Sequence, residues 1–163
     1  MYTQVTDLLG GELVLGASVK SNLDLARATR QGLPAETAVQ LVDAILLHAP
    51  DGVSEAIGLR AMGPLGALID SLRHPAKPSK TGGANVDASP GRLTPEQSDM
   101  VIRTARTLAK AIDILGDRDK AAHWLTAPNR AMGGEIPITL LDTSAGTHEV
   151  EALLDRIEYG VYS

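Results

Sequence analysis

The chain has no cysteine and no phenylalanine, and its 163 residues hold only three tyrosines and one tryptophan. Without cysteine there is neither a disulfide framework nor a thiolate metal site. The shortage of aromatics leaves the core to Leu, Ile, Val, Ala and Met, a set that helix–helix packing accommodates better than a sandwich or barrel. No apolar run approaches the length of a membrane span, and Met1-Tyr2-Thr3-Gln4 lacks the basic start of a signal peptide, so a cytosolic location without membrane attachment is expected. An excess of basic charge is missing too: 15 Lys and Arg against 20 Asp and Glu give −5, which does not draw the whole chain to nucleic acid or anionic lipid. What remains, 44% hydrophobic and 21% charged, is the balance of a soluble globular protein long enough for one ordinary domain or two very small ones. These features together predict an all-α protein.

The strongest internal boundary is Pro75–Arg92, where ten of eighteen residues are Pro, Gly, Ser or Lys and Val86 is the only sizeable apolar side chain. Loops of this length without structure of their own are uncommon inside a compact unit, so the segment reads as a flexible linker between residues 1–74 and 93–163. In the first half Ser21 is placed to cap a helix carrying Leu23, Leu25, Ala26 and Thr29 that stops at Gly32. Pro34 suits the first turn of a second helix with Val39, Leu41, Val42, Ile45 and Leu46, ending before Pro50. Two helices around the tight Gln31-Gly32-Leu33 turn have helix-turn-helix spacing. The second of them offers Glu36, Thr37, Gln40 and Asp43 but no Lys or Arg, which opposes phosphate contact and favours a degenerate, dimerising helix-turn-helix. Lys20, Arg27 and Arg30 are the candidates for a local DNA-binding basic face.

The second half is punctuated more sharply. Thr94-Pro95-Glu96-Gln97 predicts a capping box, and Val101, Ala105, Leu108, Ile112 and Leu115 form one helical stripe that Gly116 ends. Asp117 caps a short helix with Ala121, Ala122, Trp124 and Leu125 that stops before Pro128. Asn129 to Gly133 makes at most one turn. Pro137 opens another short helix, expected to end around Gly146. Thr147 is expected to cap the last helix, whose apolar stripe is Val150, Leu153, Leu154 and Ile157, with Glu149 and Glu151 in its first turn.

Signatures of catalysis are missing. His48, His74, His123 and His148 are widely separated and match no metal-ligand spacing. Gly63-Pro64-Leu65-Gly66 and Gly82-Gly83 match no phosphate loop and read as turns, and there is no nucleophile elbow. Neither an enzymatic site nor a cofactor is expected. The unusual feature is the end of the chain, Tyr159-Gly160-Val161-Tyr162-Ser163, which holds half of the aromatics. Termini are ordinarily polar and frayed, so two tyrosines there imply docking. The rings either anchor a partner or fold back onto their own domain, and the two readings stand level.

Several stretches in this half carry a family likeness. Lys120-Ala121-Ala122-His123-Trp124-Leu125-Thr126-Ala127-Pro128-Asn129, Gly133-Gly134-Glu135-Ile136-Pro137, Leu140-Leu141-Asp142-Thr143 and Gly146 follow in order. They close on Val150 and Arg156-Ile157-Glu158-Tyr159-Gly160-Val161-Tyr162-Ser163. The run, from about Leu93 to Ser163, resembles the toxin-binding domain of the Xre/MbcA/ParS antitoxins.

The resemblance implies a partner: a RES-domain toxin related in fold to ADP-ribosyltransferases, which destroys NAD or uses it to modify a protein. It also implies neutralisation by direct contact, with the antitoxin's C-terminal region reaching the NAD cleft. On that basis Tyr159, Gly160, Val161, Tyr162 and Ser163 are the expected occluding residues, and Arg156 and Glu158 polar contacts. Trp124, Leu125, Pro128, Leu140 and Leu141 are expected scaffold, and Asn129 and Asp142 caps or turn formers. Residues 1–74 would pair two antitoxins, so that a homodimer carries toxin in a hetero-oligomer, and could also bind operator DNA to repress the operon. The alternative is a stand-alone helix-turn-helix transcriptional regulator whose second half only oligomerises.

Overall fold

The computed structural model describes residues 2–15, 19, 21–48, 59, 62–74 and 91–160. Lys20, residues 75–90 (nearly all of the expected linker, with Gly82-Gly83), and Val161, Tyr162 and Ser163 lie outside the described residues. The described elements are all helical: α1 (Tyr2–Leu8), α2 (Gly11–Leu15), α3 (Asn22–Gln31), α4 (Ala35–Leu47), α5 (Gly63–Arg73), α6 (Pro95–Leu115), α7 (Arg118–Thr126), two 3₁₀ helices (Arg130–Met132 and Pro137–Asp142) and α8 (Ser144–Glu158). Among the described residues β-type pairing is limited to one antiparallel bridge, Pro34 with Arg92. The protein is all-α.

Local chemistry explains most of the boundaries. Ser21 caps α3, its hydroxyl accepting from the Asp24 N–H, and Gly32 closes the helix at φ +75°. Pro34 stands at the N-cap of α4, one residue ahead of the helix that it was expected to open. At the start of α6 the Thr94 hydroxyl accepts from the Gln97 N–H while the Gln97 side chain accepts from the Thr94 N–H, with Pro95 in the first turn. A hydrogen bond from its own N–H and one from Thr94 hold the Glu96 carboxyl below its ordinary pKa. Gly116 ends α6 in the left-handed region, and the Asp117 carboxylate accepts from Asp119 N–H to start α7.

α6 is the axis of the molecule. Its expected stripe is buried at Val101, Ala105 and Leu108, but Ile102, Ala109, Ala111, Ser98, Thr104 and Thr107 are buried as well, because partners cover it from several directions. α1, α3 and α4 pack on it from the first half of the chain, and α7, α8 and the second 3₁₀ helix from the second. One hydrophobic cluster runs through all of these elements, from Val5 and Leu9 through Leu41, Ile45 and Ile69 to Leu125, Leu141 and Leu154. The turn between α3 and α4 is tied to the start of α6: Leu93 N–H donates to Leu33 carbonyl at 2.8 Å, and Leu33 N–H donates to the buried Ser98 hydroxyl at 2.8 Å. Polar clamps at the periphery join Arg73 to Asp43, His48 to Asp119 and Gln4 to Asp113. In each the acidic partner is exposed to solvent, so its contribution is about 1 kcal/mol or less.

Three expectations about glycine and caps are corrected. Gly63-Pro64-Leu65-Gly66 is no loop but the first turn of α5. Gly66 is there because a Cβ would collide with the Leu59 carbonyl oxygen, a close approach that no local pattern announces. Gly146 does not terminate a helix; it lies inside the first turn of α8, whose cap stands four residues before the expected one at Thr147. Thr143 is the N-cap, accepting from Gly146 N–H, while Thr147 is buried with its hydroxyl donating back to the Thr143 carbonyl at 2.8 Å. Glu149 and Glu151 therefore fall beyond the first turn.

Thr107 makes a test of this core. Its hydroxyl is fully buried on α6 without a hydrogen-bond partner, whereas that of Thr104 donates to the Met100 carbonyl. Thr107→Val keeps the shape and removes an unsatisfied polar group, so it is expected to stabilise by about 1 kcal/mol. Thermal unfolding by circular dichroism should show the midpoint rising by about 2–4 °C. A fall instead would mean that the hydroxyl has a partner.

Candidate functional site

The motif that carries the family likeness divides, in three dimensions, into a scaffold and a projecting end. Leu125 and Leu141 are fully buried, and Trp124 and Leu140 are half-buried against the same cluster, as expected for scaffold. Pro128 is exposed and does not belong with them. Asn129 is a turn organiser: its side-chain oxygen accepts from Ala131 N–H at 3.0 Å, its N–H donates to the Glu135 carbonyl at 2.9 Å, and its carbonyl accepts from Gly134 N–H at 2.8 Å. The Pro-Asn and Gly-Gly parts of the motif thus close one loop around the first 3₁₀ helix. Asp142 acts through its backbone, the carbonyl accepting from the Arg103 guanidinium at 3.1 Å.

α8 presents the end of the chain. Val150, Leu153 and Leu154 are buried against α6 and the second 3₁₀ helix, and Ile157 is half-buried at the edge of this face. On its flank Lys110 of α6 reaches Asp155 at 2.6 Å. The helix then ends by local geometry: Tyr159 N–H donates to the Asp155 carbonyl, Gly160 N–H to the Ile157 carbonyl, and Gly160 turns the chain at φ +67°. That conformation carries no steric penalty only because the residue has no Cβ. Arg156 and Glu158 are exposed on the last turn, and the Tyr159 side chain is 76% exposed. The Tyr159 ring is thus not folded back onto the described part of its own domain. It is one of three large apolar or aromatic side chains left exposed among the described residues, with Leu23 and Leu47.

The structure brings Arg156, Glu158, Tyr159 and Gly160 together at the tip of α8, and the remaining three expected contact residues lie outside what it describes. Of the candidate DNA-contacting residues, Arg27 and Arg30 are exposed on α3, where Arg27 faces Asp24 at 3.8 Å. α3 is held chiefly by α6.

A second polar feature went unread in the sequence. Between α6 and α8 lies an open cleft of about 280 Å³ lined by Arg103, Arg106, Ser144, Thr147, His148 and Glu151. Its residues come from helices 40 positions apart in the chain, so no spacing rule finds them. Among the described residues no group of three His, Asp or Glu side chains is arranged to hold a metal ion, and no helix is long and apolar enough to cross a membrane.

A helical scaffold ending in an exposed aromatic tip is the architecture of a protein-binding module. Comparison with known proteins identifies the module: residues 110–160, from the second half of α6 to the turn beyond α8, match the Antitoxin Xre/MbcA/ParS C-terminal toxin-binding domain. A relative described as Antitoxin Xre, from Yersinia enterocolitica serotype O:8 / biotype 1B, is 35% identical over 133 residues, covering 81% of this chain and 87% of the relative. Proteins of the same description from Photorhabdus laumondii subsp. laumondii and Pseudomonas putida are 39% and 37% identical over 74 and 68 residues. These cover 45% and 42% of this chain, and 50% and 43% of the relatives. The chain belongs to the Xre antitoxin family, and its role is that of the antitoxin in a toxin–antitoxin system.

Proposed function

We propose that the protein neutralises a RES-domain, NAD-using toxin by placing its C-terminal tail, residues 159–163, in the toxin's NAD cleft. The observation that carries this reading is the Tyr159 side chain, 76% exposed at the end of a helix whose opposite face is locked into the core. A rigid base with an uncovered aromatic tip loses little entropy on docking, and tyrosine adds a hydroxyl for hydrogen bonding. Arg156 and Glu158, exposed beside it, supply polar contacts at the rim of the cleft.

In this reading residues 93–163 are the toxin-binding unit and residues 1–74 pair two antitoxins, so that a symmetric dimer carries toxin on both arms. Exposed Leu23 on α3 and Leu47 at the end of α4 support self-association. The net charge of residues 1–74, 5 basic against 8 acidic, opposes DNA contact but not pairing.

The test is co-expression with the toxin encoded beside this protein, reading growth and cellular NAD for the full chain and for a version truncated after Glu158. The full chain should restore both. The truncated chain should keep its helical circular dichroism and still capture the toxin in a pull-down, yet leave NAD depleted. Equal rescue by both versions would move inhibition from the tail to the domain surface. No rescue by either, together with salt-sensitive binding of the operator, would favour the transcriptional regulator.

A further inference from the structure

We propose that the cleft between α6 and α8 is a second toxin contact, in which Arg106 and Arg103 receive a carboxylate side chain of the toxin. This rests on the antitoxin role but not on the tail entering the NAD cleft. The cleft lies beside the buried face of α8, and Glu151 and His148 stand about 12–16 Å along the helix axis from Tyr159, so one partner surface can span both.

The two arginines differ in state. Arg103 is mostly buried and already positioned: its Nε lies 2.9 Å from the Asp99 carboxylate and its guanidinium donates to the Asp142 carbonyl, while Nη1 is left without a hydrogen-bond partner. Arg106, one turn further along α6, is exposed and makes no ion pair or hydrogen bond with the described residues. A guanidinium fork matches a planar carboxylate, and one that is pre-held loses less freedom on binding it. Of the backbone N–H groups in the first turn of α8, Thr143 already satisfies those of Gly146 and Thr147.

Charge and size narrow the ligand. Asp99 pairs with Arg103, and Glu151 and His148 of α8 line the same cleft as Arg106. Glu151 in the lining disfavours a phosphate dianion more than a carboxylate, which brings one negative charge in place of two. The volume, about 280 Å³, is at the bottom of the range for small-molecule sites and suits one protruding side chain. Ser144, Thr147, His148 and Glu151 also fall within residues 110–160, the part matched to the toxin-binding domain.

The experiment measures the affinity of the full-length antitoxin for the catalytically inactive toxin by calorimetry, for the wild type, Arg106→Lys, Arg106→Glu and, as a charge control, Arg118→Glu, whose side chain is exposed at the start of α7. Arg106→Glu should weaken binding by about tenfold or more, with a smaller salt dependence, and Arg106→Lys should fall between it and wild type. Arg118→Glu should stay within about twofold, and all four should share one thermal midpoint, because neither arginine holds the fold together. Wild-type affinity in Arg106→Glu, or an equal loss in Arg118→Glu, would overturn the proposal. So would chemical-shift changes showing that millimolar inorganic phosphate fills the cleft without competing with toxin. Truncation after Glu158 separates the two readings: normal affinity in Arg106→Glu with failed rescue on truncation removes this contact and keeps the tail. The reverse result removes the tail and keeps this contact.

Discussion

Gly146→Ala is expected to lower the thermal midpoint by about 4–8 °C, although alanine is the better helix former. Gly146 has ordinary helical backbone in the first turn of α8, so propensity alone favours the change by about 1 kcal/mol. Packing acts the other way. A Cβ here collides with the Leu140 carbonyl oxygen, and it lies 2.9 Å from the Leu140 carbonyl carbon and 3.0 Å from its Cβ. Two of those atoms are backbone, in the 3₁₀ helix Pro137–Asp142, and cannot swing aside as the end of a flexible side chain would. Overpacking of about 3 kcal/mol exceeds the propensity gain and leaves a net loss of about 2 kcal/mol. In a domain of this size each kilocalorie moves the midpoint by roughly 2–4 °C. Circular dichroism melts check it, and a midpoint raised by alanine would show that the 3₁₀ helix does not press on α8.

Leu154→Ala should have the largest effect on both stability and neutralisation. Leu154 is fully buried on α8, in the cluster shared with α6 and Leu141. Removing its isobutyl group loses apolar burial and leaves a cavity that rigid helices close only partly, together about 2–5 kcal/mol. For a protein whose whole stability is of the order of 5–15 kcal/mol, that is enough to leave an appreciable unfolded fraction at growth temperature. Neutralisation should fall although Leu154 is no tail residue, because α8 is the base from which Tyr159 projects. Denaturant titration should give a lower midpoint, and rescue of growth should return when the antitoxin is over-expressed. A truncation after Glu158 removes tail contacts while leaving the α8 stripe, so it should not be rescued by dose. That contrast separates a weak scaffold from a missing contact.

Where the chain carries its own instructions locally, the sequence was legible. The capping box at Thr94 and Gln97, the stop at Gly116, the cap at Asp117 and the turn around Asn129 depend on atoms a few residues apart, so residue type and order suffice. The stripe Val101, Ala105, Leu108 announced α6 for the same reason. The likeness carried by Lys120 to Ser163 reached further, to the family itself. The misread places have another cause. Gly66 and Gly146 look like punctuation, and a glycine is an equally good sign of a turn or of a close approach; only the position of Leu59 or Leu140 decides which. With Gly146 taken as a stop, the expected cap falls four residues late, on Thr147, which is instead buried and bonded back to the Thr143 carbonyl.

Composition, the absence of cysteine, and the apolar spacings determined by themselves that this chain would be helical, with a core of aliphatic side chains and a tyrosine-bearing end beyond its last helix. Those are properties of residues and near neighbours, and hydrophobic burial acts on them in much the same way in any compact arrangement. The tertiary structure alone decided that α6 is covered from both halves of the chain, that Tyr159 is left uncovered while Trp124 is not, and that Arg103 and Arg106 meet His148 and Glu151 across one cleft. Each depends on which distant segment arrives beside a residue. Contacts of that kind are selected by the packing of all the helices at once, and no local pattern records the outcome.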